Sequence, residues 1–139
     1  MYDLLKNIAQ INNWEFIYGR QDYQNVEDMY NEIDDNKVNL FLDSVVIDTS
    51  FSESGVESNT YSGRFLLLLS SDVDELYDGD ESSKYQSYIK PLIDNHLTKI
   101  KTILSCGDYA INTFRTTEVI NLFDGNYDGI IVNYNVSEI

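Results

Sequence analysis

The stretch Val38–Ser70, VNLFLDSVVIDTSFSESGVESNTYSGRFLLLLS, constrains the fold more than any other. Two apolar runs, Val38–Asp48 and Thr60–Leu69, flank a loop of Ser, Glu, Gly and Asn. β-Branched and aromatic side chains suit a pleated surface, and the loop residues suit a chain reversal. The expectation is a long antiparallel hairpin with an open, mobile tip at Ser50–Asn59. In the first run Val38, Leu40 and Leu42 alternate with Asn39, Phe41 and Asp43, and then Val45-Val46-Ile47 continues without alternation. That switch predicts burial on both faces or a bulge that changes sides. In the second run Tyr61, Gly63, Phe65, Leu67 and Leu69 share one parity, and Leu66 and Leu68 occupy the other. Both faces of Phe65–Leu69 are therefore apolar. One helix layer covers one face of a sheet, so a second copy of the chain is the expected cover for the other.

Around this hairpin the chain reads as one domain over residues 1–139, long enough to bury a core without metals or disulfides. Leu4, Leu5, Ile8 and Ile11 fall on one helical face of Met1–Asn13, and Asn12-Asn13 ends it. Trp14–Gly19 alternates large residues as a half-buried strand. Val26, Met29, Tyr30 and Ile33 fall at helical spacing, so Asn25–Asp35 reads as a short helix or as an ordered loop. After the acidic stretch Ser71–Glu81, apolar residues from Tyr85 to Leu104 hold a 3.6-residue period, with Ser82 or Ser83 as N-cap and Gly107 as stop. Pro91 has no N–H for the carbonyl of Ser87 and its ring crowds that carbonyl, which predicts a kink. Asp108–Thr113 is a strand, and Arg115–Phe123 reads equally as more strand or as a short helix. Asp124-Gly125 and Asp128-Gly129 are turn chemistry before a last strand through Ile130, Val132, Tyr134 and Val136. The order α-β-(α)-β-β-α-β-β is an α+β fold: an antiparallel or mixed sheet packed by an N-terminal helix and one long helix.

The formal charge is −15, from 24 acidic residues against 9 Lys and Arg. A surface of that sign repels nucleic-acid phosphate and anionic lipid, which argues against a sequence-reading DNA-binding role. It suits a protein past which DNA must move without sticking; acidity for solubility is the plainer alternative. Cys106 is the only cysteine, so no intrachain disulfide forms, and no signal-peptide pattern or bilayer-length apolar run is present. A soluble protein of a cytoplasm-like compartment is expected, with no membrane partner. Eleven tyrosines suit either extensive interfaces or sheet faces.

No arrangement carrying catalysis stands out. His96 and Cys106 lie roughly 15 Å apart along a helix at ~1.5 Å per residue, too far for a dyad. His96 reads as an edge-of-core imidazole and Cys106 as a small buried residue. An EF-hand register starting at Asp74 puts Leu76 and Tyr85 at ligand positions, and one starting at Asp72 fails at Leu76 and Tyr77. No glycine-rich phosphate loop occurs, and no carboxylate pair is singled out for hydrolysis. The chain is expected to be no enzyme and to use no cofactor or metal. Arg20, Arg64 and Arg115, the only arginines, each fall beside a strand end or sheet edge, suited to an ion pair with a neighbouring subunit or within the chain.

The segments WEFIYGRQDYQN, FLDSVVIDTSFSESG, YSGRFLLLLS, KYQSYIKPLID and EVINLFDGNYDGIIVNYNV, in this order, are similar to the tail-completion and tail-terminator proteins of tailed bacteriophages. The Tyr-, Asn- and Asp-rich composition resembles structural proteins of crAss-like phages. The likeness implies a structural virion protein that forms a ring of six or twelve copies in the phage neck or tail, assembled in the host cytoplasm. Its implied partners are itself and the adjacent neck, portal-adaptor or tail proteins, with genomic DNA only passing through the lumen. The hairpin tip, with Phe51 and Glu53, and the acidic loop, with Asp78, would be contact arms. Arg20, Arg64, Phe65, Leu67 and Arg115 complete the expected contact set. A different class of function, an acidic binding or inhibitory module that engages a basic protein, is the alternative.

Overall fold

The computed structural model describes residues 1–19, 37–70, 83, 85–122 and 127–139. The expected helix at Asn25–Asp35, Arg20, and the acidic loop with Asp78 lie outside these residues. Helix α1 (Tyr2–Ile11) buries Leu5 and Ile8 of the face its spacing predicts, together with Ala9, whereas Leu4 is half-buried and Ile11, expected on the same face, is exposed. It ends where Asn12 Nδ2 donates to the Ile8 carbonyl at 2.8 Å and Asn13 takes φ 57°. Asn tolerates the left-handed region better than most residues, so the Asn pair turns the chain at low cost.

Strand β1 (Glu15–Tyr18) pairs in parallel with β2 (Asn39–Leu42). The hairpin run then splits in two: β2 pairs with residues 65–68 of β4 (Glu57–Ser70), and β3 (Val46–Phe51) pairs with residues 57–62. The break at residues 43–45 is the side-switching irregularity expected from the lost alternation. Its other expected form, burial of Val46 and Ile47 on both faces, is not what occurs: both are exposed. β4 pairs over residues 60–70 with β6 (Tyr127–Glu138), and β6 pairs with β5 (Tyr109–Leu122). The mixed six-stranded sheet runs β1-β2-β4-β6-β5, with β3 on β4. Arg115–Leu122 therefore continues the strand, interrupted by irregularities at Ile111/Thr113 and Val119/Leu122. Asp128-Gly129 lies inside β6 rather than in a turn. A Cβ on Gly129 would come 1.9 Å from the Leu67 carbonyl oxygen, so this strand crossing needs a glycine.

The long apolar period forms one continuous, bent helix over residues 85–106. Ser83 opens it, its Oγ accepting the Gln86 N–H at 3.4 Å and its carbonyl the Ser87 N–H at 2.9 Å. Pro91 disturbs the ladder by widening it. π-Helical turns at Tyr85–Ile89 and Leu92–Leu97 flank the proline, and regular α2 (Thr98–Cys106) follows. A ring that removes one N–H and crowds a carbonyl is accommodated by lengthening the hydrogen-bond loops on either side.

Both helices pack on one sheet face. There Leu5, Ile8, Leu92, Ile100 and Leu104 meet Leu40, Leu42, Phe65, Leu67, Ile130 and Val132. On the other face Ile17, Phe41, Leu66 and Leu68 form a second buried cluster with Val119 and Ile131 against it. Phe65, Leu66, Leu67 and Leu68 are each at most 1% exposed in a single chain. This overturns the expectation that a sister copy covers the second face. Each such side chain contributes about 1.5–3 kcal/mol relative to exposure, and that stabilisation belongs to the lone subunit.

Candidate interaction site

The sheet divides along its length into a buried half and an open half. β6 ends at Glu138, and β4 residues 57–59 run past it with β3 as their strand partner. The β3–β4 hairpin is therefore an arm that projects beyond the sheet. An isolated two-stranded ribbon is marginal in water, so the arm depends on its root. There residues 60–62 of β4 are held between β3 and β6. Tyr61 Oη donates to Glu138 Oε1 at 2.6 Å, Asn59 Nδ2 donates to Glu138 Oε2 at 3.1 Å, and Thr60 Oγ1 and Ser137 Oγ share a hydrogen at 3.2 Å. The carboxylate holds the Tyr61 phenol proton, pushing that group up to about 12. The phenol, aided by Asn59, in turn holds the Glu138 carboxyl below its ordinary value.

The tip is closed by its own hydrogen bonds, where its composition suggested an open one. Ser52 N donates to the Val56 carbonyl and Gly55 N to the Ser52 carbonyl, both at 2.9 Å. Ser52 Oγ accepts the Val56 N–H at 3.1 Å and lies 2.8 Å from Ser54 Oγ. Gly55 sits at φ 80°, a conformation that suits glycine. Along the arm, Thr49 Oγ1 donates to Asn59 Oδ1 at 2.7 Å. These short-range bonds give a defined shape to a segment with little burial.

On this shaped arm Val46, Ile47, Phe51 and Val56 are 53–66% exposed. Phe51 and Glu53 belong to the expected contact set, and both are exposed at the tip. Val46, Ile47 and Val56 do not belong to it, because an unbroken Val-Val-Ile run looks the same whether it enters a core or leaves one. The remaining expected residues scatter. Phe65 and Leu67 are buried in the chain's own core and are withdrawn as contacts. Arg64 is engaged internally: its Nε pairs with the fully buried Asp43 carboxylate, and the Asp43 N–H donates to the Arg64 carbonyl at 3.0 Å. That pair ties down the break between β2 and β3. Arg115 is exposed, in one cross-strand row with Asn133 and Arg64.

β5 forms a second candidate surface, a 14-residue strand at one end of the sheet. Its two register irregularities and the charges of Arg115 and Glu118 are devices that discourage strand addition. The arm has the opposite character, with apolar side chains outward on an ordered scaffold.

The positions weighed for chemistry stay apart. His96 packs edge-on against Trp14 with ring centroids 5.3 Å apart, as an edge-of-core imidazole should. Burial, helped by Lys99, lowers its pKa. Cys106 is exposed, correcting the expectation of a buried thiol, because its position follows the last buried turn of α2 at Leu104. Among the described residues no group of three or more His, Cys, Asp and Glu side chains could hold a metal ion, and no helix is long and apolar enough to cross a membrane. Compared with protein-family models and with curated proteins, the sequence matches none of them.

Proposed function

We propose that this chain is a structural virion subunit that joins copies of itself into a ring in the neck or tail of a tailed bacteriophage. The resemblance of its segment order to tail-completion and tail-terminator proteins supplies the biological setting. The physical support is a single feature: an ordered hairpin arm that carries Val46, Ile47, Phe51 and Val56 into solvent. Scattered exposed apolar residues are normal on a protein surface, but Val46 and Ile47 at the root of the hairpin and Phe51 and Val56 at its projecting end concentrate four of them on one element. A subunit whose arm meets a different surface on its neighbour makes a head-to-tail contact, and such contacts close into rings when the rotation permits. With 24 acidic residues against 9 basic ones, the subunit would line a lumen that lets DNA slide.

Native mass spectrometry and sedimentation of the purified chain, alone and with virion neck proteins, test this. A closed oligomer, or incorporation into purified virions, is the expected result. A chain that stays monomeric and never joins virions sinks the reading. The acid excess also favours a second function, an acidic module that binds a basic protein. In that case a tight, salt-sensitive one-to-one complex replaces self-assembly.

A further inference from the structure

We propose that the hairpin tip of one copy seats in the groove between α1 and α2 of a second copy; this rests on the self-assembly reading above and names its two contact surfaces. The groove has a volume of about 290 Å³ and is lined by Ile11, Asn12, Thr98, Lys99, Thr102 and Ile103. Its floor is apolar, and Ile11 is 80% exposed although it belongs to the apolar stripe of α1. A dry apolar cavity of about 150 Å³ accepts a benzene ring. The groove thus has room for the Phe51 ring.

Charge selects the occupant. The tip places two carboxylates near Phe51, Glu53 inside the turn and Glu57 directly opposite Phe51 in the β3–β4 pairing. Among the described residues neither carboxylate is held in an ion pair, and the same is true of Lys99 at the groove. An acidic apolar tip and a groove with an apolar floor and a cationic rim are complementary, in a chain that otherwise repels itself with a charge of −15. Phe51 and Val56 are 66% and 65% exposed on their own chain, so the arm is not folded back, and the contact is made in trans. Arm and groove are different surfaces, which gives the head-to-tail geometry a ring requires.

The test combines charge reversal with cross-linking. Phe51→Asp and Lys99→Glu each weaken self-association by about 30-fold, the size expected for loss of a central anchor. Both positions are exposed, and circular dichroism of each variant verifies its fold. Glu53→Lys with Glu57→Lys weakens assembly alone, and adding Lys99→Glu to that double variant restores it. In a Cys106→Ser background, a Ser54→Cys subunit mixed with a Thr102→Cys subunit forms an intersubunit disulfide under mild oxidation. An oligomer that persists through both charge reversals and forms no such disulfide overturns the arm-in-groove contact and leaves the ring standing. A wild-type chain that is monomeric at every concentration overturns both.

Discussion

Replacing Gly129 by alanine probes a place where the two inner strands leave no space for a side chain. Gly129 lies opposite Leu68 in the β4–β6 ladder, next to the Leu67–Ile130 pair. A Cβ there would sit 1.9 Å from the Leu67 carbonyl oxygen, 2.9 Å from its carbonyl carbon and 3.0 Å from Leu68 Cα. The first distance is about 1.5 Å short of the 3.4 Å where ordinary contact begins. All three obstructing atoms are backbone, so no side-chain rotation relieves the overlap, and the strands must part. Parting them weakens about two ladder hydrogen bonds, at roughly 1 kcal/mol each. It also loosens packing around Leu67, Leu68 and Ile130, for which overpacking data give about 1–3 kcal/mol. Gly129→Ala is therefore expected to cost about 3–5 kcal/mol, a large share of the roughly 5–15 kcal/mol that holds a domain folded. Urea denaturation followed by circular dichroism measures this directly. Gly55→Ala is the internal comparison: nothing lies within 4 Å of its Cβ position, and only the backbone strain at φ 80° opposes it. That strain amounts to about 1–2 kcal/mol. A Gly129→Ala variant within 1 kcal/mol of wild type, or less affected than Gly55→Ala, refutes the close strand approach.

Three further outcomes are expected. Arg64→Ala strands the fully buried Asp43 carboxylate and costs about 2–4 kcal/mol, reduced from the value for a wholly buried pair because Arg64 is 29% exposed; a double-mutant cycle with Asp43→Asn in urea melts recovers the coupling. Tyr134 Oη is buried without a hydrogen-bond partner, so Tyr134→Phe raises stability by about 1 kcal/mol, read as a higher urea midpoint. In a spectrophotometric tyrosine titration, Tyr61 and Tyr134 ionise late, near pH 12, and Tyr61→Phe lowers the amplitude of the late phase by one tyrosine. The signs for stability follow from linkage: a raised phenol keeps its full contribution below its ordinary pKa of 10.0 and loses it as the pH rises from there through about 12. The depressed Glu138 carboxyl has its full contribution above its ordinary pKa of 4.5 and loses it as the pH falls through its lower folded value.

What was legible in the sequence was whatever local periodicity encodes. The stripe Leu5, Ile8 and the long run from Tyr85 to Leu104 specified two helices, because helical spacing puts those positions on one face whatever they pack against. The two parities of Phe65–Leu69 specified burial of both strand faces, and the Asn pair and Ser83 marked helix ends through hydrogen bonds to their own neighbours. The identity of each burying partner is a long-range fact. Whether the second face of β4 met a sister chain or its own subunit is not encoded in the local pattern, and the tertiary structure buries Leu66 and Leu68 within the subunit. The same holds for Arg64, drawn to Asp43 only because β2 and β4 lie side by side, and for Asp128-Gly129, a local turn signal outweighed by pairing with β4. The exposure of Phe51 and Val56 was decided there too, by where β6 ends and the β3–β4 hairpin does not. Composition sets how readily a residue leaves water, but only the placing of distant strands determines whether anything is there to receive it.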